Sequence, residues 1–196
     1  SGDSIMGGIR AFLASVEQPS EALVAAVDAF DPAGEAMVLG QGFSRRYRLA
    51  GRPVYGRRPR AWRDLEDKTT VDHLWDGAGI VRAPSVIVPV AHAARAAATV
   101  ASDAGTVWVA DNRTGWHGGG EYTRWAPPGT DPVDLAEWFG TRAEQVRVMP
   151  FLEGIPCSIH GFVTRDGVAV FAPLELFILR QRGQPAFVYA QGANFW

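Results

Sequence analysis

The sequence predicts a mixed α and β protein, α+β in character, on three observations. Its front alternates helical apolar periodicity with short β-rich runs, residues 85–110 read as a strand, an Ala-rich helix and a second strand, and the last third is rich in strands around an Asp-Gly turn. A chain of 196 residues with 47% hydrophobic and 20% charged residues buries a core and keeps a polar surface, which argues against disorder.

Taken in order, Ser20 is placed to cap a helix carrying Leu23, Val27 and Phe30 on one face, and Asp31-Pro32 stops it. A short strand is expected at 36–39, while Pro53-Val54-Tyr55-Gly56 is too brief to assign. Leu65, Val71, Leu74 and Trp75 predict a helix over 62–76, ended by Gly77 to Gly79. Strands at 85–88 and 106–110 flank a helix at about 91–102, and 112–120 is a Gly-rich loop. Thr130-Asp131-Pro132 supplies a cap with proline in the first turn of a helix carrying Leu135, Trp138 and Phe139, and Thr141 with Glu144 reads as a capping box. The remaining strands are expected at 146–151, 157–164 and 168–179, the last two joined through Arg165-Asp166-Gly167.

With 19 basic against 21 acidic residues, the net charge of -2 gives no reason to expect nucleic acid or an anionic membrane as partner. Eight of the 18 arginines lie between Arg45 and Arg63, interleaved with Tyr47, Tyr55 and Trp62; the cluster reads as a solvated linker or an interface for an acidic substrate or another domain. A single cysteine, Cys157, excludes an intrachain disulfide and reads as a buried structural residue. No apolar run approaches the ~20 residues of a membrane span, and a cytoplasmic location is expected. Ser1-Gly2, without an initiator Met, reads as a processing or expression remnant, so the chain is expected to be a fragment.

Three motifs carry chemistry. Leu65-Glu66-Asp67-Lys68 leads through Gly77-Ala78-Gly79-Ile80 to Ala83-Pro84, and Lys68 is the one lysine of the chain. Read alone it is a solvated helix residue; read with its surroundings it is a compact ammonium where guanidinium does not serve. Next, the strand at 106–110 empties into Trp116-His117-Gly118-Gly119-Gly120-Glu121, where bare backbone amides can approach phosphate oxygens. His117 to Gly120 also matches part of an esterase oxyanion hole, but no Gly-x-Ser-x-Gly nucleophile elbow accompanies it. Third, Val148-Met149-Pro150-Phe151-Leu152-Glu153-Gly154 reads on its own as an apolar core strand ending in a turn, and gains meaning only from its order after the other two.

In that order the three motifs resemble the ATP-grasp superfamily, over roughly residues 67–164. The resemblance implies an ATP-grasp-like fold with a small preceding α/β segment at 1–63 and a nucleotide-binding region at 64–196 whose C-terminal subdomain is incomplete. It implies a nucleotide site made of Lys68, His117, Gly118, Gly119, Gly120, Met149, Pro150, Phe151, Leu152 and Glu153, with Glu175 and Arg180 as candidates for substrate or phosphate contact. ATP is the implied cofactor, magnesium is expected only in a complete parent protein, and a small carboxylate and an amine are the implied substrates. The chemistry implied is activation of the carboxylate as an acyl phosphate for attack by the amine; the alternative is a nucleotide-responsive or structural module of the same fold. The chain departs from the family at two points. No second lysine stands near Ala110 and Asp111, where Arg113 is the replacement on offer, and the ribose glutamate falls at Pro156, so Glu153 serves or the contact is lost.

Overall fold

The computed structural model describes residues 5–40, 47–56, 60–113, 120–181 and 183–194, and the chain divides into two units, Ser1–Glu66 and Asp67–Trp196. Helices take up 29% and strands 31%, so the mixed α and β class is the one adopted.

In the first unit, helices α1 (Ile5–Glu17) and α2 (Glu21–Phe30) precede strands β1 (Val38–Leu39), β2 (Arg48–Leu49) and β3 (Arg52–Tyr55). The Ser20 hydroxyl accepts from Leu23 N at 3.2 Å, as its capping role requires. The sequence gives little sign of α1, because Gly7-Gly8 lowers helix propensity in its first turns. β3 is the middle strand, parallel to β1 and antiparallel to β2. No described residue of α2 is buried, and the tie between α2 and the sheet is polar. Arg52, only 6% exposed, donates from Nε to Asp31 Oδ2 at 2.9 Å, and its Nη1 bonds Asp28 and the Ala50 carbonyl oxygen. Arg52 thus departs from the solvated reading of the arginine cluster, while Arg45, Arg46, Arg57 and Arg58 lie outside the described residues.

The helix expected over 62–76 does not form as one element across the end of the first unit and the start of the second. A 3₁₀ turn covers Arg60–Glu66, and α3 begins only at Asp72 and ends at Gly77. The apolar spacing was helical, but Asp67 Oδ1 takes the amide and hydroxyl of Thr69 at 2.8 and 2.7 Å, an Asx turn that diverts the chain between them. Strands β4 (Val86–Pro89), β5 (Thr106–Ala110), β6 (Thr123–Ala126) and β7 (Gln145–Pro150) form a sheet in the order β4-β7-β5-β6, antiparallel throughout. β4 and β5 therefore run the same way with β7 between them, and α4 (Ala93–Val100) makes the crossover.

Alternation along these strands separates two faces. One carries Trp108, Ala110, Val146 and Val148 against α4 and α5 (Pro132–Gly140), with Ala93, Ala97, Leu135 and Phe139 closing the core. Trp108 is fully buried, stacks on Phe139 at 6.0 Å, and donates its indole N–H to Thr106 Oγ1 at 2.9 Å. Asp131 caps α5 by accepting from Val133 N. The expected capping box at Thr141 starts no helix: Arg142 N and Ala143 N both return to the Phe139 carbonyl oxygen, and the chain passes straight into β7.

Past β7 come β8 (Cys157–Ser158), β9 (Gly161–Val163), β10 (Val168–Val170), β11 (Leu174–Arg180) and β12 (Phe187–Ala193). β9 and β10 pair through the expected turn, where Thr164 N donates to Gly167 O at 2.8 Å. The two long strands expected here are each broken, since β8 and β11 leave that hairpin to join β12 in a second sheet, β12-β11-β8. The sheets are joined where Trp125 N of β6 donates to Pro185 O. Cys157 is exposed, which corrects the buried reading: β8 is two residues long and carries it at a sheet edge.

Candidate functional site

The sheet face away from the helices carries Val107, Val109, Thr123, Trp125, Arg147 and Met149, because Val107 stands opposite both Met149 and Trp125, and Val109 opposite both Arg147 and Thr123. At the end where β7 leaves the sheet, this face meets a cleft of about 600 Å³. The cleft is bounded by the hinge residues 151–156, by Gly120 and Thr123 leading into β6, and by Ile178, Arg180 and Phe187 of the β11–β12 hairpin.

The hinge is fixed by backbone bonds to the turn before β5. Phe151 N donates to Gly105 O at 2.9 Å, and the Ser102 hydroxyl donates to Phe151 O at 2.8 Å. The Phe151 ring, which lines the cleft, stacks with Phe187 at 6.2 Å and is backed by Trp125, tilted against it at 5.4 Å. The Arg180 guanidinium lies 5.0 Å from the ring centres of both Trp125 and Phe151, and its Nη1 reaches Glu153 Oε1 at 3.0 Å. That ion pair is substantially exposed, so solvent screens it and an incoming polar group can replace either partner at little cost. The result is an aromatic floor with one acid and one base at its mouth.

The far end of β5 is organised by two buried carboxylates. Asp67, besides holding Thr69, accepts from Asn112 N through Oδ2 at 3.0 Å, so the turn bearing Lys68 is tied to the residue that enters the glycine loop. Lys68 is exposed and makes no hydrogen bond or ion pair among the described residues. Asp111 is fully buried, accepting from Gln145 N at 2.7 Å and from Arg113 N at 3.3 Å. Arg113 meets Glu144 at 2.7 Å, a bond that raises its already high pKa and keeps the guanidinium engaged.

Of the residues singled out by sequence, Gly120, Phe151, Leu152, Glu153 and Arg180 come together around one cleft. Met149 and Pro150 pair with Val107 and Thr106 in the sheet that leads to it. Lys68 stands at the opposite end of β5, and Glu175 is paired with Cys157 and Ala193 in the second sheet; neither lines the cleft. His117, Gly118 and Gly119 lie outside the described residues. Sequence reasoning missed Trp125 and Phe187; only the alternation of Trp125 with Thr123 was there to find. Among the described residues, no three His, Cys, Asp or Glu side chains converge as a metal site, and no helix is long and apolar enough to cross a membrane.

No protein-family model matches the chain, and no curated protein matches it. Among solved structures, D-alanyl-alanine synthetase A from Vibrio cholerae O1 biovar eltor is similar over 67% of this chain and 39% of its own, at 19% identity and a TM-score of 0.49. The chain spans well under half of that protein, and likeness at this level leaves the functional reading to the residues themselves.

Proposed function

We propose that the second unit is a nucleotide-binding module of ATP-grasp kind, the ATP-binding portion of a ligase that activates a carboxylate as an acyl phosphate for attack by an amine. The observation that carries this is the 3.0 Å bond from Asn112 N to Asp67 Oδ2. It joins the turn of the one lysine to Asn112, where the chain leaves β5 for the glycine-rich segment of the sequence, and this supports a phosphate-facing role for that end of the sheet. The other end offers the aromatic cleft, where a purine has ring faces to stack on and Glu153 stands at the mouth to take ribose hydroxyls. Because Phe151 N is committed to Gly105, reading of the purine edge falls to the hinge from Leu152 onward. Between the two ends, β5 spans about 14 Å at ~3.4 Å per residue, a length that suits an extended nucleoside triphosphate lying along its open face.

The described residues do not fit a magnesium centre, so no step is derived through one. What this chain's residues supply is binding and orientation of the triphosphate. Calorimetric titration with ATP tests the reading. The chain binds ATP, and Lys68→Ala weakens binding about tenfold, the loss of one charge-assisted phosphate contact. No binding, or equal affinity of the variant, overturns it. ADP release that depends on an added carboxylate and amine supports the ligase, whereas binding without turnover supports the nucleotide-responsive module.

A further inference from the structure

We propose that a second cavity, formed by β6, α5 and the turn before β12, is a binding site for a small quaternary ammonium ion, separate from the cleft of the nucleotide reading and not dependent on it. The cavity holds about 300 Å³, and its walls are mostly apolar: Trp125, Pro127, Leu135, Trp138 and Pro185. That volume is at the small end for ligand clefts, so it suits a compact molecule. Among the described residues one ionisable side chain lines it, Asp134 in the first turn of α5. Asp134 is exposed and makes no hydrogen bond or ion pair among the described residues.

The walls are fixed by bonds that need no ligand. Trp125 donates its indole N–H to Ala104 O at 2.9 Å and its backbone N–H to Pro185 O at 2.7 Å, which ties the β6 wall to the turn. The turn is closed by Gln184 N, which donates to Gln181 O at 3.0 Å. On α5, the Trp138 ring packs edge to face with both Tyr122, at 5.6 Å, and Phe139, at 4.8 Å.

This lining selects among cations. A metal ion or a compact ammonium is strongly hydrated, and one carboxylate among apolar walls does not replace its water. A quaternary ammonium ion spreads its charge over methyl groups and is attracted by the electron-rich faces of indoles. Both rings already attract cations: Arg180 lies 5.0 Å from a Trp125 ring centre, and Arg124 and Arg142 lie 4.0 and 4.3 Å from that of Trp138. None of these guanidiniums lines the cavity, but their charge limits the ligand to one positive charge, the amount that Asp134 offsets. A polyamine would bring further charge near Arg124 and Arg142 with nothing to balance it. A carboxylate in the first turn also suits the helix dipole, so Asp134 alone decides nothing; the carboxylate and two indoles around one cavity point to a cation together.

The test is calorimetry at fixed ionic strength with choline chloride and with its neutral isostere 3,3-dimethylbutan-1-ol. Choline is expected to bind at least about tenfold more tightly than the alcohol, and Asp134→Asn to weaken choline about fivefold or more while leaving the alcohol within about twofold. Asp166→Asn, which removes the same charge from the β9–β10 turn, should leave choline affinity unchanged, and thermal unfolding confirms that both variants are folded. No binding of choline, equal affinity for choline and the alcohol, or an Asp134→Asn variant that binds choline as well as Asp166→Asn does overturns the proposal. If Asp134→Asn does not fold, choline against the alcohol on the wild-type chain decides.

Discussion

Replacing Asp67 with alanine isolates the contact on which the candidate site depends. The carboxylate is 8% exposed and accepts three hydrogen bonds, from Thr69 N, Thr69 Oγ1 and Asn112 N. Hydrogen bonds to a charged group contribute ~1.5–3 kcal/mol each, but burying the carboxylate offsets part of this and the half-buried Asn112 amide can recover water. The net loss for Asp67→Ala is therefore about 2–4 kcal/mol, or about 6–12 °C in Tm for a chain of this size. Asp67→Asn retains an acceptor for Thr69 but turns an N–H toward the Asn112 N–H, so it should lose roughly half as much. Urea unfolding followed by tryptophan fluorescence reads both. If Asp67→Ala loses less than about 1 kcal/mol, or Asp67→Asn matches it, the carboxylate does not hold the Lys68 turn to the loop, and the argument from that tether fails.

Gly105→Ala should destabilise by about 3 kcal/mol or more, since φ is +91° and the added Cβ would lie 2.0 Å from Ala126 O, whereas Gly129→Ala, at φ +81° with open space around it, should lose only about 1 kcal/mol. Thermal unfolding of the two variants checks the contrast, and equal losses would refute the packing argument. In the first unit, the hydrogen bond from Arg52 holds the Asp31 carboxyl below its ordinary 3.8 despite partial burial. A lowered folded pKa means the stabilisation is complete above the unfolded value and disappears as pH falls through the folded one, so Asp31→Asn should flatten stability against pH below about pH 4. An unchanged acid slope in urea unfolding would contradict this.

The legible parts of this fold were those whose signals are local. Ser20 and Asp131 announce their helices because a capping oxygen three or two residues upstream of the amide it accepts from is a property of the chain alone. The Asp166-Gly167 turn is local in the same way. β6 was not legible, because Thr-Arg-Trp-Ala becomes a strand only by lying between β5 and the Pro185 segment, about 60 residues on. The helix expected over 62–76 failed for the opposite reason: its periodicity was sound, but the buried Asp67 side chain competes for the backbone, a choice set by Asn112, which is 45 residues away. Around the cleft, Phe151, Leu152 and Glu153 were singled out by their order in the sequence, while His117, Gly118 and Gly119 lie outside the described residues. Trp125 and Phe187 were not singled out, since nothing in an isolated strand tells which face will be covered by helices.

The two ends of the candidate site are built by different physics, which bears on how it works. The hinge end is tied by a main-chain hydrogen bond from Phe151 N to Gly105 O, and Gly105 is fixed in turn by a backbone conformation that other residues rarely adopt. An aromatic floor on such an anchor is formed before any ligand arrives. The opposite end relies on side chains: Asp67 and Asp111 organise the amides around Asn112, while Lys68 is exposed and has no partner among the described residues. A free ammonium has many rotamers to lose on binding, so this end gains order from the ligand and contributes most when the ligand brings charge. On the proposed nucleotide reading, nucleoside recognition would fall to the rigid end and phosphate recognition to the adaptable one. Discrimination between a nucleoside and its triphosphate then resides in side chains whose removal leaves the purine floor intact.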